Sequence, residues 1–137
     1  MQMIVFRLKD LYYGLSTELV EEITTTLSHT KVPNSPGWIE GLVNLRGDVL
    51  TLINLYNLLN LNDFDIEDCY NNTIIAHLDE NNVALMVDEV IGVTDIDEDE
   101  LQSVSEEDDS YLRALVTAYD QIVNVLDLNS LFPKKEE

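Results

Sequence analysis

Residues 38–45 read Trp-Ile-Glu-Gly-Leu-Val-Asn-Leu, and residues 111–118 read Tyr-Leu-Arg-Ala-Leu-Val-Thr-Ala. When position 38 is aligned with position 111, the apolar runs that follow, 49–55 and 122–128, align in the same register without a gap. Few positions are identical, but side-chain size, polarity and turn placement agree. Self-similarity at a fixed spacing is a sign of a repeated structural unit. The chain is therefore predicted to contain an internal repeat.

The earlier part of each copy matches at a slightly shorter spacing, because residues 4–8 correspond to 74–78 and residues 13–15 to 83–85. The approximate repeat halves are 3–62 and 72–132. Units of about 70 residues are only marginally stable alone. We therefore expect residues 1–137 to form a single domain of two subdomains around a shared core.

Short apolar runs alternate with turn residues, and helical periodicity never persists, which favours an all-β sandwich or barrel. Each copy should consist of two strands, a variable connector and a closing hairpin. The hairpins are predicted to turn at Gly47-Asp48 and at Asp120-Gln121, since Gly and Asp tolerate the positive φ of tight turns. The hairpin strands within 49–55 and 122–128 are so apolar that we expect cover on both faces.

Short helices are predicted at a few positions. Asn54 and Asp127 are good N-caps for a helical turn after each hairpin. Ser16 or Thr17 is predicted to cap a short helix that includes Leu19, Val20 and Ile23. In the second copy, residues 88–93 suggest a bent strand. Residues 95–109 are strongly acidic and predict an exposed linker with one helical turn near Leu101.

The chain of 137 residues carries a net charge of -20, from 27 acidic residues against 7 Lys and Arg. Such a chain should repel nucleic acid and anionic membranes, which require a basic surface. The acidity could serve solubility, or it could form a docking face for a basic partner. The hydrophobic fraction of 45% is enough for a core.

Cys69 is the only cysteine, which rules out a disulfide within the chain and fits a reducing compartment. Residues 1–10 lack the layout of a signal peptide, and the longest uncharged stretch, 49–62, is too short to span a membrane. A soluble cytoplasmic protein is expected.

The sequence lacks a phosphate-binding glycine loop, a zinc-type pairing of Cys and His, and a nucleophile elbow. His29 and His77 are each solitary, which is typical of structural histidines. Residues 95–100 are acidic enough to suggest calcium, but Glu100 stands where a calcium loop of the EF-hand type needs Gly. We therefore predict no enzyme, no cofactor and no metal site.

Arg46 is the only Lys or Arg between Val32 and Leu112. An unpaired cation among apolar strands is costly to bury, so a carboxylate partner is expected. The candidates are Glu21, Glu22 and Asp48. The pair could orient the turn, or Arg46 could be a docking residue. Both roles are compatible, since a guanidinium can bridge two groups.

The run from Trp38 to Gly47, preceded by Pro33 and Pro36, is the most distinctive motif. Together with shorter matches in the same order, it makes residues 3–132 resemble the CheW-like domain family. These matches are Tyr13-Gly14-Leu15, Val20-Glu21-Glu22-Ile23, Val87-Asp88-Glu89-Val90 and the run 122–128. One segment departs from the family pattern: Asn54-Leu55-Tyr56 stands where the family commonly has Asp followed by a basic residue.

The resemblance implies two SH3-like five-stranded β-barrel subdomains around a shared hydrophobic core, with a few short helices. It implies a non-catalytic adaptor that couples methyl-accepting chemotaxis receptors to the histidine kinase CheA. The receptor-binding groove would contain Val20, Glu22, Arg46 and Gly47. The isolation of Arg46 further motivates the hypothesis of an ion pair between Glu22 and Arg46. The regulatory domain of CheA would bind at Glu40, Gly41 and the exposed edge of the first barrel.

Other functions remain open at this point. The same fold could be the regulatory domain of a CheA-type kinase or a coupling module of another sensory array. From a different class, the chain could be a small-ligand-binding barrel or a hydrolase with paired carboxylates. An enzyme should bring polar groups with shifted pKa values together in a concave site. The acidic residues are instead concentrated in the predicted linker.

Overall fold

The computed structural model describes residues 1–61, 70–78, 81–103 and 112–131. Cys69, turn residues 79–80 and linker residues 104–109 lie outside the described residues. The strands are β1 (Gln2–Leu8), β2 (Leu11–Ser16), β3 (Val20–Thr25), β4 (Ile39–Leu45), β5 (Asp48–Asn54), β6 (Asn72–Leu78), β7 (Asn81–Val87), β8 (Glu89–Asp95), β9 (Gln102–Ser103), β10 (Leu112–Ala118) and β11 (Gln121–Leu126). The helices are α1 (Leu55–Leu58) and α2 (Leu128–Leu131), with 3₁₀ turns at Thr17–Leu19 and Glu98–Glu100. No described helix has the length and hydropathy needed to cross a membrane.

The strands form two sheets that interleave the repeat copies. One sheet has the order β8-β1-β2-β11-β10-β9, and the other has the order β3-β6-β7-β5-β4. The hairpin β1–β2 of the first copy thus joins strands of the second copy, and β6–β7 of the second copy joins strands of the first. Parallel ladders between β2 and β11 and between β5 and β7 make the junctions. Each sheet therefore contains strands from both repeat copies, and the boundary between the copies is not the boundary between the sheets.

The internal repeat extends to the irregularities of the ladders. Between β3 and β6 the register skips Glu21, and between β1 and β8 it skips Ile91, the repeat equivalent of Glu21. Between β4 and β5 it skips Glu40, and between β10 and β11 it skips Arg113, the repeat equivalent of Glu40. A β-bulge bends its strand and increases the local twist. Equivalent bulges therefore give the two sheets equivalent curvature.

Each sheet curls so far that a side chain of one hairpin turn reaches the edge strand at the far end of the sheet. Strands β3 and β4 are the two edges of the five-stranded sheet, yet Glu22 of β3 forms an ion pair with Arg46, next to β4. In the other sheet, Tyr119 beyond β10 donates a hydrogen bond from Oη to the carbonyl of Val93 in β8, at 3.2 Å. We name these units the Arg46 barrel and the Tyr119 barrel. The predicted all-β fold with two five-stranded barrels is confirmed, with β9 as a short addition to the Tyr119 barrel.

The apolar side chains form one core in each barrel and a third, larger core between them. Met3 and Val5 point into the Tyr119 barrel, while Leu52 and Ile75 point into the Arg46 barrel. The shared core takes side chains from both sheets. They include Ile4, Phe6, Leu8, Leu15, Ile53, Ile74, Leu85 and Leu126. The predicted shared core is therefore confirmed.

The prediction of cover on both faces holds only for the second half of each predicted run. Strands β1 and β6 alternate between an interior core and the shared core, so both of their faces are buried. Strands β5 and β11 are buried on the barrel side, but Val49 is 64% exposed and Ile122 is 66% exposed. The first part of each hairpin strand therefore faces solvent, because the shared core reaches only its end.

The hairpin turns lie one residue earlier than predicted. Arg46 and Gly47 form the first turn, with φ values of 53° and 89°. Tyr119 and Asp120 form the second, with φ values of 52° and 59°. Two central residues with positive φ match the right-handed twist of the flanking strands. Composition pointed to Gly47 and Asp120 as turn residues, but the left-handed conformation of Arg46 and Tyr119 follows from the pairing register.

The helical predictions are confirmed in part. Asn54 Oδ1 accepts a hydrogen bond from the Asn57 amide at 3.1 Å, and the Ser16 hydroxyl accepts one from the Glu18 amide. However, the helix after Ser16 ends at Leu19, so the prediction of a helix that includes Val20 and Ile23 was wrong. Pairing of β3 with β6 turns these residues into a strand. The bent strand β8 and a helical turn directly before Leu101 are present as predicted.

A buried carboxylate lies where the chain crosses between the sheets. Asp88 alone separates β7 from β8 and is 4% exposed. Its amide donates to the Arg7 carbonyl at 3.0 Å, and its Oδ2 is 3.5 Å from Arg7 Nη1. Oδ1 has no hydrogen-bond partner among the described residues. Burial raises the pKa of Asp88, outweighing the Lys9 amide and the Arg7 charge, which lower it.

The raised pKa of Asp88 predicts a pH-dependent stability. A carboxyl group whose pKa is higher in the folded state contributes stability below its ordinary pKa of 3.8 and loses it as pH rises through the raised value. We expect the free energy of unfolding of Asp88→Asn to increase relative to wild type across that window, as measured by urea unfolding. Glu89→Gln, which also removes a neighbour of Arg7 but at a side chain 56% exposed, should show no such trend. Parallel pH profiles for wild type and Asp88→Asn would contradict the assignment.

Candidate protein-binding site

The β4–β5 turn presents Arg46 to solvent next to an acidic strand. Arg46 Nη2 donates a hydrogen bond to Glu22 Oε2. This hydrogen bond and the charge of Glu22 raise the pKa of Arg46, with a smaller contribution from Glu21. The predicted Glu22–Arg46 ion pair is therefore present. The expectation that the pair compensates for burial was wrong, because the Arg46 side chain is 68% exposed. The bulge at Glu21 places Glu22 where it reaches the turn.

Gly47 and Asn44 hold the turn in shape. The Gly47 amide donates to Asn44 Oδ1 at 3.1 Å, so the side chain of β4 pins the turn that follows it. Since φ of Gly47 is 89°, a side chain at this position would be strained. The turn therefore presents the Arg46 guanidinium from a constrained backbone.

A small cavity of about 160 Å³ lies between β3 and this turn, and Asp48 and Asn82 also line it. Asn82 Nδ2 donates to Glu21 Oε2, and His77 Nε2 lies 3.8 Å from the same oxygen. The carboxylates of Glu21, Glu22 and Asp48 thus line the same cavity as Arg46, and the Glu22 carboxylate is bonded to the guanidinium. The surface is acidic with one fixed cation, an arrangement that suits a partner with polar and basic groups.

Val20 lies apart from this group of side chains. It precedes the bulge, it pairs with Ala76, and it packs half-buried against the shared core. The structure therefore brings Glu22, Arg46 and Gly47 together, whereas Val20 is in contact with the core between the barrels.

The second predicted site, Glu40 and Gly41, is occupied from within the chain. The bulge residue Glu40 accepts a hydrogen bond from Asn54 Nδ2 at 3.2 Å and lies 3.4 Å from His29 Nε2. At Gly41, an added Cβ would lie 2.5 Å from the Thr30 carbonyl oxygen. Gly41 thus allows the connector between β3 and β4 to lie against β4.

The connector also covers part of the predicted docking edge. Thr30 and Leu42 exchange two backbone hydrogen bonds, of 2.9 and 2.8 Å, on the outer side of β4. In the Tyr119 barrel, Gln102 of β9 pairs with Leu115 at the equivalent position of β10. The edge of β4 is therefore already paired at its centre, and Glu40 and Gly41 can influence a partner mainly through the connector.

Sequence reasoning missed the counterpart of the ion pair in the other barrel. In the repeat, Tyr119 is the equivalent of Arg46, and Gly92 is the equivalent of Glu22. Tyr119 lies over Gly92, where an added Cβ would be 2.5 Å from Oη. The alignment of the two copies contained the signal, but only the closed barrel shows that these positions touch. Among the described residues, no group of three or more His, Cys, Asp or Glu could hold a metal ion.

Comparisons with known proteins agree along the whole chain. The model of the CheW-like domain family matches residues 2–136. The chemotaxis protein CheW of Bacillus subtilis (strain 168) is 32% identical over 138 residues, covering 98% of this chain and 88% of the relative. That of Thermotoga maritima is 26% identical over 132 residues, covering 95% and 86%. The crystal structure of the scaffolding protein TtCheW from Thermoanaerobacter tengcongensis matches with a TM-score of 0.85 and 28% identity, covering 96% of this chain and 91% of that chain.

The close approach at Gly41 predicts a destabilised variant. Gly41→Ala should displace Thr30 and His29, which lie 2.5 and 2.9 Å from the added Cβ. Overpacking of this kind typically costs about 1–3 kcal/mol. Urea unfolding measures the effect, and loss of protection of the Leu42 amide in hydrogen exchange localises it.

Gly37→Ala is the matched control for this substitution. An added Cβ at Gly37 meets nothing within 4 Å, so its stability should stay within about 0.5 kcal/mol of wild type. Equal effects of the two substitutions would show that the connector does not depend on Gly41.

Proposed function

This chain belongs to the CheW-like domain family, and on that premise we propose that it is a chemotaxis adaptor that couples methyl-accepting receptors to the histidine kinase CheA. The match covers nearly the whole chain and most of the length of relatives named chemotaxis protein CheW. The observation that carries the proposal is the common architecture with a scaffolding protein, at a TM-score of 0.85 and 28% identity. The proposed role involves no catalytic step and takes place in the cytoplasm, where the kinase and the receptor tips meet.

The receptor-side site is proposed at Glu22, Arg46 and Gly47. An ion pair in solvent contributes little to folding, because screening and side-chain entropy offset the attraction. We therefore assign the Glu22–Arg46 pair a role in recognition. Glu22 binds one side of the guanidinium group, so the remaining N–H donors are available to a partner. We propose Val20 as a separate receptor contact, because it lies apart from these three residues and packs half-buried against the shared core.

The kinase-side site is proposed at the outer side of β4. Glu40 and Gly41 hold the connector there, so their role is to shape the surface that the regulatory domain of CheA meets. An edge strand with unpaired groups is a natural place for another barrel to pair. The Thr30–Leu42 bridge leaves the ends of β4 for such a contact.

The proposal predicts that charge reversal at Arg46 uncouples the protein. Arg46→Glu places a fourth carboxylate beside Glu21, Glu22 and Asp48, so receptor affinity should fall at least about tenfold. Co-sedimentation with receptor-containing membranes measures the change. Lys9→Glu, an equal change of charge on the β1–β2 turn of the other barrel, should leave the affinity unaltered. Unchanged binding of both receptor and kinase to Arg46→Glu would overturn the assignment of Arg46.

Reconstitution tests the adaptor role itself. We expect the full chain to bring a CheA-type kinase to the pellet with membranes that contain receptor fragments, and to raise kinase activity in that ternary mixture. The control omits the receptor fragments and keeps the kinase and the chain. If neither co-sedimentation nor kinase activity changes in the full mixture, the coupling function is wrong.

A further inference from the structure

A second surface feature lies on the Tyr119 barrel and is independent of the sites above. A cleft of about 490 Å³ opens between the 3₁₀ turn at Glu98–Glu100 and the outer side of β10 and β11. Its floor includes Leu115, Thr117 and Ile122, and its wall includes Asp99, Glu100 and Gln102. Wall and floor differ sharply in chemistry, so an occupant would need both an apolar and a charged part.

The floor of the cleft exposes aliphatic surface to solvent. Ile122 is 66% exposed, more than any other large hydrophobic side chain among the described residues. Leu115 beside it is half-buried. An exposed apolar surface with a polar rim is typical of a binding site. This floor can accept an aliphatic side chain from a partner.

The strand that forms the floor is only partly paired. Strand β9 pairs with Ala114 and Leu115 alone. From Val116 to Ala118, no described strand lies on that side of β10. An open strand edge favours a partner segment in an extended conformation, because main-chain groups can pair while alternate side chains enter the cleft.

The wall of the cleft is acidic and without a described counterion. All four residues from Asp97 to Glu100 are exposed, and none of the described salt bridges includes Asp99 or Glu100. With a chain net charge of -20, the surrounding field also favours a cation. Long basic side chains can lay an aliphatic stem on an apolar floor while the charged end reaches a carboxylate.

The equivalent surface of the Arg46 barrel lacks this combination. Leu42 and Val49 correspond to Leu115 and Ile122, and Thr30 pairs with Leu42 as Gln102 pairs with Leu115. In that register, the uncharged residues Thr26, Leu27 and Ser28 stand in place of Glu98, Asp99 and Glu100. The acidic cleft is therefore a property of the Tyr119 barrel alone and not of the repeated scaffold.

We propose that this cleft binds an extended partner segment in which Lys or Arg alternates with aliphatic residues. The aliphatic side chain packs on Ile122 and Leu115, and the cation pairs with Asp99 and Glu100. The site is separate from the Glu22–Arg46 site and gives the adaptor a third contact surface.

The test uses the full ¹⁵N-labelled chain and the peptide acetyl-Ile-Arg-Ile-Lys-amide, followed by amide chemical shifts. Saturable shifts are expected at Gln102, Leu115 and Thr117. Acetyl-Ile-Gln-Ile-Gln-amide and acetyl-Gly-Arg-Gly-Lys-amide, which lack the charge and the aliphatic groups respectively, should bind at least about tenfold more weakly.

Variants separate the cleft from general attraction to an acidic protein. Asp99→Asn with Glu100→Gln, and separately Ile122→Gln, should each weaken the peptide at least about tenfold. Asp10→Asn with Glu18→Gln removes the same two charges elsewhere and should leave binding unchanged. Three results would overturn the proposal: shifts spread over the whole surface, equal weakening by the control pair, or concentration-dependent shifts of the same amides without peptide, which would indicate a second copy in the cleft.

Discussion

The parallel ladders between β2 and β11 and between β5 and β7 are the constraint on which the rest of the structure depends. Each ladder joins a hairpin of one repeat copy to strands of the other, so neither barrel can be completed by one copy alone. This exchange places β1 and β6 between two cores and buries both of their faces. It also brings the second copy into the proposed receptor site, because Asn82 and His77 approach Glu21 of the first copy.

Within this scaffold, the same type of hairpin turn makes a contact across each barrel, but the side chains in contact differ. A turn residue with positive φ reaches across to the strand at the opposite end of its sheet. In one barrel the contact is an ion pair between Arg46 and Glu22, and in the other Tyr119 lies over Gly92 and donates to the Val93 carbonyl. Equivalent positions of the two barrels thus carry contacts that differ in charge and shape. A duplicated fold can thereby present different surfaces to different partners, which suits an adaptor.

Much of the fold could be predicted from the sequence, and each wrong prediction has a local cause. The near-constant spacing between the two copies predicted the order of elements and the pair of equivalent hairpins, because the apolar pattern and the turn residues agree although few positions are identical. The helix expected through Val20 and Ile23 failed because propensity in a short segment yields to pairing with β6. The turn at Arg46 was placed one residue late because only the register shows which residues take positive φ.

The sequence by itself determined the all-β class, the repeat, the shared core and the isolation of Arg46 as the only Lys or Arg between Val32 and Leu112. Those features follow from hydrophobic periodicity, from the spacing of the repeat and from the distribution of charge. These are properties of single segments or of the composition of the whole chain. Only the tertiary structure decided that the Glu22–Arg46 pair lies in solvent, that Glu40 and Gly41 support a connector, and that the two copies exchange hairpins. Each of these depends on which strands meet across long separations in sequence. Pairing of that kind is set by bulges, barrel closure and the competition for apolar cover, none of which a single segment reveals.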